Sequence, residues 1–280
     1  MSRRVVIRVP ASSANLGPGF DTLGMALTLD ADIGIVDGAI PAGALLADPG
    51  HPASVAFVRG GGVGEVWVRS RIPSGRGLGF SGAMHVGGLA AAHVQRAGGV
   101  ASTADERSSL LEVAAELEGH PDNAAASVYG GIVVAAAGRT VQVATPLDPA
   151  VLLWVPDNST STTASRARFG DTVRREDAVF NVGRVALLVA ALAAGDVGAL
   201  RDATDDRLHH PQRFAAAPRS AAAQAAALDG GAWCAWMSGS GPTVAAFCDP
   251  ADAARLATRL PAGGRVMILR VEPRGVGVLD

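Results

Sequence analysis

Near the N-terminus, in RRVVIRVP, apolar residues are interleaved with arginine up to Pro10. Alternation is the period of a strand with one buried face, so a strand is predicted here, stopped by Pro10. ASSANLGPGFDTLGMALTL follows as a Gly/Ser/Asn loop and a second apolar segment, and Asp30 to Val36 alternates like a strand. Residues 41–52 read as loop. HPASVAFVRGGG fits a short helix, and GEVWVRSRIP alternates as a strand. Small and apolar residues from Gly82 to Gln95 predict a buried helix. STADERSSLLEVAAELEG predicts another, with Ser102 or Thr103 as N-cap, Asp105 and Glu106 in its first turn and Gly119 at its C-terminal end. GGIVVAAAG and RTVQVATPL read as a strand pair, and AVLLWVP as an apolar strand. Two or three helices are expected across 178–194, 197–208 and 215–228. AWCAWMSGSGPTVAAFC reads as two strands about a glycine turn. A helix over 250–259, capped by Asp249, and a strand RVMILRVEP complete the pattern. Mixed β/α signals precede residue 155, and helices with an antiparallel sheet follow it. The expected domains are therefore 1–155 and 156–280.

Composition narrows the function classes. The 280 residues are 49% hydrophobic and 18% charged with a net charge of −2, which fits a soluble globular protein without a basic field for nucleic acid. All 24 basic residues are arginine. Mechanisms that need a lysine are thereby excluded, including the Walker-type phosphate loop and the protein-kinase ATP lysine. Cys234 and Cys248 lie in apolar runs and read as buried free thiols in a reducing cytosol. No leader-length apolar segment opens the chain, and no run approaches about 18 uninterrupted apolar residues, so no membrane span is expected.

RIPSGRGLGFSGAMHVGGLAAAHV, from Arg71 to Val94, combines a glycine cluster with a helix. Gly77, Gly79 and Gly82 match G-x-G-x-x-G. However, PSGR separates them from the preceding strand and some 70 residues come first, unlike a dinucleotide-binding unit. The other reading is a phosphate loop whose charge comes from backbone amides at a helix N-terminus and from Mg²⁺ on Ser81. A tight strand-to-helix turn without a ligand is the third.

VPASSANLGPGFDTLGMAL, PSGRGLGFSGA and MSGSGPTVAAF, in that order, resemble the three motifs of the GHMP small-molecule kinases. EGHPDNAAASVYGG and DRLHHPQRFAAAP are similar to the homoserine kinase branch of that family. The resemblance spans nearly the whole chain. It implies an α+β, two-domain GHMP fold, with an N-terminal ribosomal-S5-type β/α domain and a C-terminal ferredoxin-like sandwich. It also implies ATP-dependent phosphorylation of L-homoserine on the way to threonine. ATP would lie on Pro73, Gly75, Arg76, Gly77, Leu78, Gly79, Phe80, Ser81 and Gly82. Mg²⁺ would be held by Ser81 and by Glu112, ten residues before Asp122. Asp21 would take the substrate ammonium with Asn15 nearby, and Asn123 would contact the hydroxyl. Arg166 and Arg213 would hold the carboxylate, supported by Thr162; Asn123 and Arg166 are the candidate catalytic residues. Asp122 is left unassigned as a base, and a homodimer is common in such kinases. Phe80 and Gly82 depart from the family's Gly-Leu-Gly-Ser-Ser-Ala, and Arg76 offers a compensating charge. Three alternatives stay open: the same chemistry on another small hydroxy compound, a kinase-like binding protein with little turnover, and, last, a dinucleotide oxidoreductase.

Overall fold

The alternating N-terminal run becomes β1 (Val6–Ala14) in a computed structural model that describes residues 5–160, 165–166, 169–170 and 172–279. Pro10 does not end this strand. It stands at a register shift against β2 (Leu23–Ile35), and an irregularity of that kind is where a strand tolerates a residue that cannot donate. The other side of β1 pairs with β11 (Gly277–Leu279), but only over Val6–Arg8. β2 runs past β1 for its whole length. Its second side takes β4 (Val66–Ser70) at one end and β5 (Ile132–Ala136) at the other. β3 (Leu45–Leu46) and β6 (Arg139–Gln142) complete a seven-stranded antiparallel sheet.

Helices α2 (Phe80–Ala97) and α4 (Asp122–Tyr129) pack on β1 and β2, and α1 (Pro52–Arg59) and α3 (Ala104–Glu118) pack on α2. α2 is buried along most of its length, as its run of small residues requires. α3 carries a capping box. Thr103 Oγ1 accepts from Glu106 N at 3.2 Å, and the Glu106 carboxylate accepts from Thr103 N at 2.9 Å.

β7 (Ala150–Pro156) is buried at all seven positions. Val151, Leu153 and Val155 face one core, while Ala150 and Leu152 face another, which explains an apolar run without alternation. It belongs to a second antiparallel sheet with β8 (Cys234–Met237), β9 (Val244–Cys248) and β10 (Gly264–Leu269), in the order β10-β7-β9-β8. Counted along the chain this is 4-1-3-2, the ferredoxin-like order. The chain therefore enters the second sheet at Ala150, ahead of the 155/156 division, and returns to the first through β11.

The helices of the second half are α5 (Arg175–Ala194), α6 (Val197–Ala203), α7 (His210–Ala216), α8 (Pro218–Asp229) and α9 (Ala253–Ala257). The helix expected over 215–228 is split, because Pro218 cannot continue α7 and instead starts α8. The helix expected from 250 begins at Ala253, since Asp249 Oδ1 accepts from Ala251 N at 2.9 Å and closes a turn first. No run of about 18 uninterrupted apolar residues occurs, as expected, although α5 is long and apolar enough to cross a bilayer by length and composition. Arg184 interrupts it, stacking on Phe180 at 4.7 Å, and Leu188, Ala191 and Leu192 are buried in the core. Both cysteines are free and buried.

Candidate active site

The three glycine-bearing stretches meet at one place. Where β1 leaves its sheet, Asn15, Leu16 and Asp21 adopt φ of 71°, 47° and 55°. That region is uncommon outside glycine, and such strain gathers at functional sites. Asn15 is braced in it. Its Oδ1 accepts from Asp21 N at 3.1 Å and its Nδ2 donates to Gly239 O at 3.0 Å. Gly239 N donates to Ala14 O at 3.1 Å, and Ser238 Oγ donates to Gly77 O at 2.6 Å. The first, middle and last motifs are thus bonded to one another.

Gly79, at φ 66°, is the N-cap of α2 and offers no side-chain cap. A Cβ there would lie 2.0 Å from Ser12 Oγ, so no other residue fits. The first-turn amides of α2 have no capping side chain, at the positive end of the helix. A cavity of about 690 Å³ opens beside them. Gly75, Arg76, Gly77, Gly79, Phe80 and Ser81 line it on this side. Pro73, Leu78 and Gly82 do not. Leu78 is fully buried in the core, and Gly82 faces α4, where a Cβ would come 3.1 Å from Asn123 Cβ. The alanine usual there would crowd Asn123. Phe80 turns its ring edge to His51, at 6.0 Å. Arg76 spends its donors on the carbonyls of Ser74, Pro156 and Asp157, tying the loop to the end of β7.

The opposite wall carries Asn15, Asp21, His120, Asn123, Arg166 and Arg213. Asp21 and Arg166 form a two-bond ion pair, at 2.9 and 2.5 Å. Arg213 is 4% exposed. It donates to Ser165 Oγ at 3.1 Å, His209 Nδ1 at 2.9 Å and Gly239 O at 2.8 Å, and its guanidinium lies 5.4 Å from the Phe20 ring. All three acceptors are neutral, and among the described residues no carboxylate stands at ion-pair distance. Burial, then the charge of Arg166, pulls its pKa down to about 10, which leaves it cationic at neutral pH. His209 is neutral because burial, then His210, depresses it to about 3. Its Nε2 donates to Gly17 O at 2.8 Å, freeing Nδ1 to accept from Arg213. Asp206 anchors this corner by accepting from the backbone of His209 and His210 and from Asn181 Nδ2. Asn123 Oδ1 accepts from Ser12 Oγ at 2.9 Å, and its Nδ2 has only a 3.4 Å contact with Asp122 Oδ1. Asp122 Oδ1 also accepts from Asn123 N at 2.7 Å and lies 2.6 Å from His120 Nδ1. Burial lowers the pKa of His120, but the bond to Asp122 and its charge outweigh this and raise it. Thr162 lies outside the described residues.

Glu112, the carboxylate expected beside Ser81, is not there. Glu112 is exposed on α3 and lines a separate cavity with Tyr129 and Arg139. Glu118 stands six residues further on, about 240° around the helix at roughly 100° per residue, and faces the glycine loop. Its Oε1 accepts from Ser81 Oγ at 2.5 Å and lies 2.6 Å from His85 Nδ1. Burial would raise the Glu118 pKa, but the contacts with His85 and Ser81 prevail and lower it. An ionised carboxylate beside a hydroxyl is a hard-oxygen pair that fits Mg²⁺.

Comparison with known proteins follows the same lines. Residues 50–131 match the GHMP kinases N terminal domain, and residues 188–266 match the GHMP kinases C terminal domain. The homoserine kinase of Mycolicibacterium vanbaalenii is 42% identical over 280 residues, spanning 88% of this chain and 87% of that protein. The chain belongs to the GHMP kinases. The homoserine kinase of Moorella thermoacetica is 37% identical and covers 87% of each chain. A putative homoserine kinase from Listeria monocytogenes superposes with a TM-score of 0.79 at 29% identity, over 99% of each chain. The structure of homoserine kinase from Cytophaga hutchinsonii shares the fold, with a TM-score of 0.84 at 24% identity over 100% of this chain and 98% of that one. Like its family, this GHMP kinase is an ATP-dependent small-molecule kinase with a two-domain α+β fold. Sequence reasoning missed Glu118, His85, His120 and the Asp206 anchor. The available signal for Glu118 was its place at the end of α3, beside the turn that leads to Asp122.

Proposed function

We propose that this GHMP kinase transfers the terminal phosphoryl group of ATP to the side-chain hydroxyl of L-homoserine, giving O-phospho-L-homoserine for threonine synthesis. The observation that carries this reading is Arg213, a buried cation whose partners are neutral, in the cavity that also holds the Asp21–Arg166 pair and the glycine loop. A buried charge without a counter-ion is costly, and an α-carboxylate supplies one. Arg213 Nη2, which makes none of the three bonds, would meet that carboxylate, while Arg166 and Asp21 would exchange their mutual bonds for the carboxylate and the ammonium. A mevalonate-type acceptor has no ammonium for Asp21.

Ser12 occupies Asn123 Oδ1, and Asn123 Nδ2, which has two protons and one long 3.4 Å bond to Asp122, would hold the acceptor hydroxyl. The amides at the start of α2 would hold the phosphates. Ser81 and Glu118 would hold Mg²⁺, which neutralises phosphate charge when bound. Asp122 already accepts from Asn123 N and faces His120, so it orients the Asn123 segment rather than waiting as a free base. Positioning and charge suffice for a transfer that asks little covalent work of the protein. The cytosol as compartment and a homodimer as assembly belong to the same proposal.

Coupled ADP release with L-homoserine, L-threonine, L-serine and mevalonate tests it. L-homoserine should lead by at least about tenfold in kcat/KM. Leadership by another acceptor overturns the substrate. Silence with all four favours a binding protein, a reading to which Phe80 in the cavity wall lends support.

A further inference from the structure

α2 is an apolar helix of Gly, Ala, Val, Leu and Met in which one imidazole, His85, is buried to 7% exposure. A buried polar ring is costly without a partner. Ser81 and His85 are four residues apart and so share one face of α2. That face meets the last residue of α3. Ser81 Oγ and His85 Nδ1 both converge on Glu118 Oε1, at 2.5 and 2.6 Å, and the carboxylate is itself only 9% exposed. Nδ1 stands off the hydrogen-bond line, so the pair is a close polar contact, and among the described residues Nδ1 has no hydrogen-bond partner. Glu118 lines the cavity beside the glycine loop, whereas His85 does not reach it.

We infer that His85 is a positioning residue: it fixes the Glu118 carboxylate against Ser81 and thereby sets the strength of the divalent-cation site. The inference rests on the reading that Ser81 and Glu118 hold the metal. Glutamate has three side-chain torsions, and ordering them costs free energy that a second polar contact at Oε1 supplies in advance. Groups that orient a metal ligand typically govern affinity by about tenfold to a hundredfold.

The test is Mn²⁺ binding to the full chain in the presence of ADP, followed by electron paramagnetic resonance, with the KM for L-homoserine measured beside it. His85→Ala should weaken Mn²⁺ by about tenfold or more and leave that KM unchanged. His85→Asn places an amide nitrogen where Nδ1 stands, and should recover binding to within roughly threefold of the parent. Glu118→Gln should abolish it. If Glu118→Gln loses Mn²⁺ while His85→Ala binds like the parent, the inference falls and the metal reading stands. If His85→Asn is as weak as His85→Ala, bulk rather than the polar contact matters, and the inference falls. If Glu118→Gln binds like the parent, the metal reading itself falls, and this inference with it. Should His85→Ala fail to fold, His85→Asn against His85→Gln carries the same test: Asn should bind, and Gln, with its amide one carbon further out, should not.

Discussion

At the scale of single residues, Arg213 owes its character to what stands behind it. A neutral His209, a serine hydroxyl and a backbone carbonyl engage its Nε and Nη1 without cancelling its charge. Arg213→Ala should raise the KM for L-homoserine by roughly a hundredfold, as expected when one side of a buried charge contact is lost, and change the KM for ATP by less than about threefold. Equal losses for both substrates would refute the carboxylate role. Phe80 is packed on His51 and leaves Ser81 to meet Glu118. Phe80→Ser should therefore keep or raise kcat; a large fall would show that the ring itself is needed. The residues that line the acceptor wall were legible because residue type and motif coincide: Asn15, Asp21, Asn123, Arg166 and Arg213 all reach the cavity. Which glutamate of α3 faces the glycine loop was not legible. α3 offers Glu106, Glu112, Glu116 and Glu118, and only the phase of the helix against α2 selects one.

At the scale of elements, ends marked by side-chain chemistry were read well. Thr103, Glu106 and Gly119 bound α3 as their types suggest, because a cap is a local bond between residues close in sequence. Thr103→Ala should lower stability by about 1 kcal/mol in urea titration, with activity retained. Boundaries set by distant partners were misread. Pro10 looks like a stop until β2 supplies a register shift that absorbs it. The three residues of β11 carry too little pattern to identify a strand, and only their pairing with β1 defines it.

For the whole molecule, the buried histidine corner couples stability to pH. Burial holds His209 at about 3 and His210 at about 4, against an ordinary value near 6.5. The unfolded chain takes up these protons near pH 6.5, while the folded chain refuses them. Stability should therefore fall as pH drops from 6.5 towards about 4.5, by about 1.4 kcal/mol per unit for each histidine. His51, held low by burial, acts in the same sense. His120, shifted upward, is protonated in both states below 6.5 and adds no slope there. Urea midpoints between pH 4.5 and 7 check this, and His210→Asn should flatten the curve. The sequence could suggest two sheets and two domains, but not that they share their strands out of chain order.

That sharing has a consequence for how the protein is made. The Val6–Arg8 stretch of β1 leaves the ribosome long before Gly277–Leu279, which covers it. Until that segment emerges the first sheet carries an open edge, the kind of surface that recruits stray strands or a chaperone. Unpairing Gly277–Leu279 from β1 after synthesis would return the finished enzyme to that vulnerable condition without touching a residue that lines the cavity beside the glycine loop.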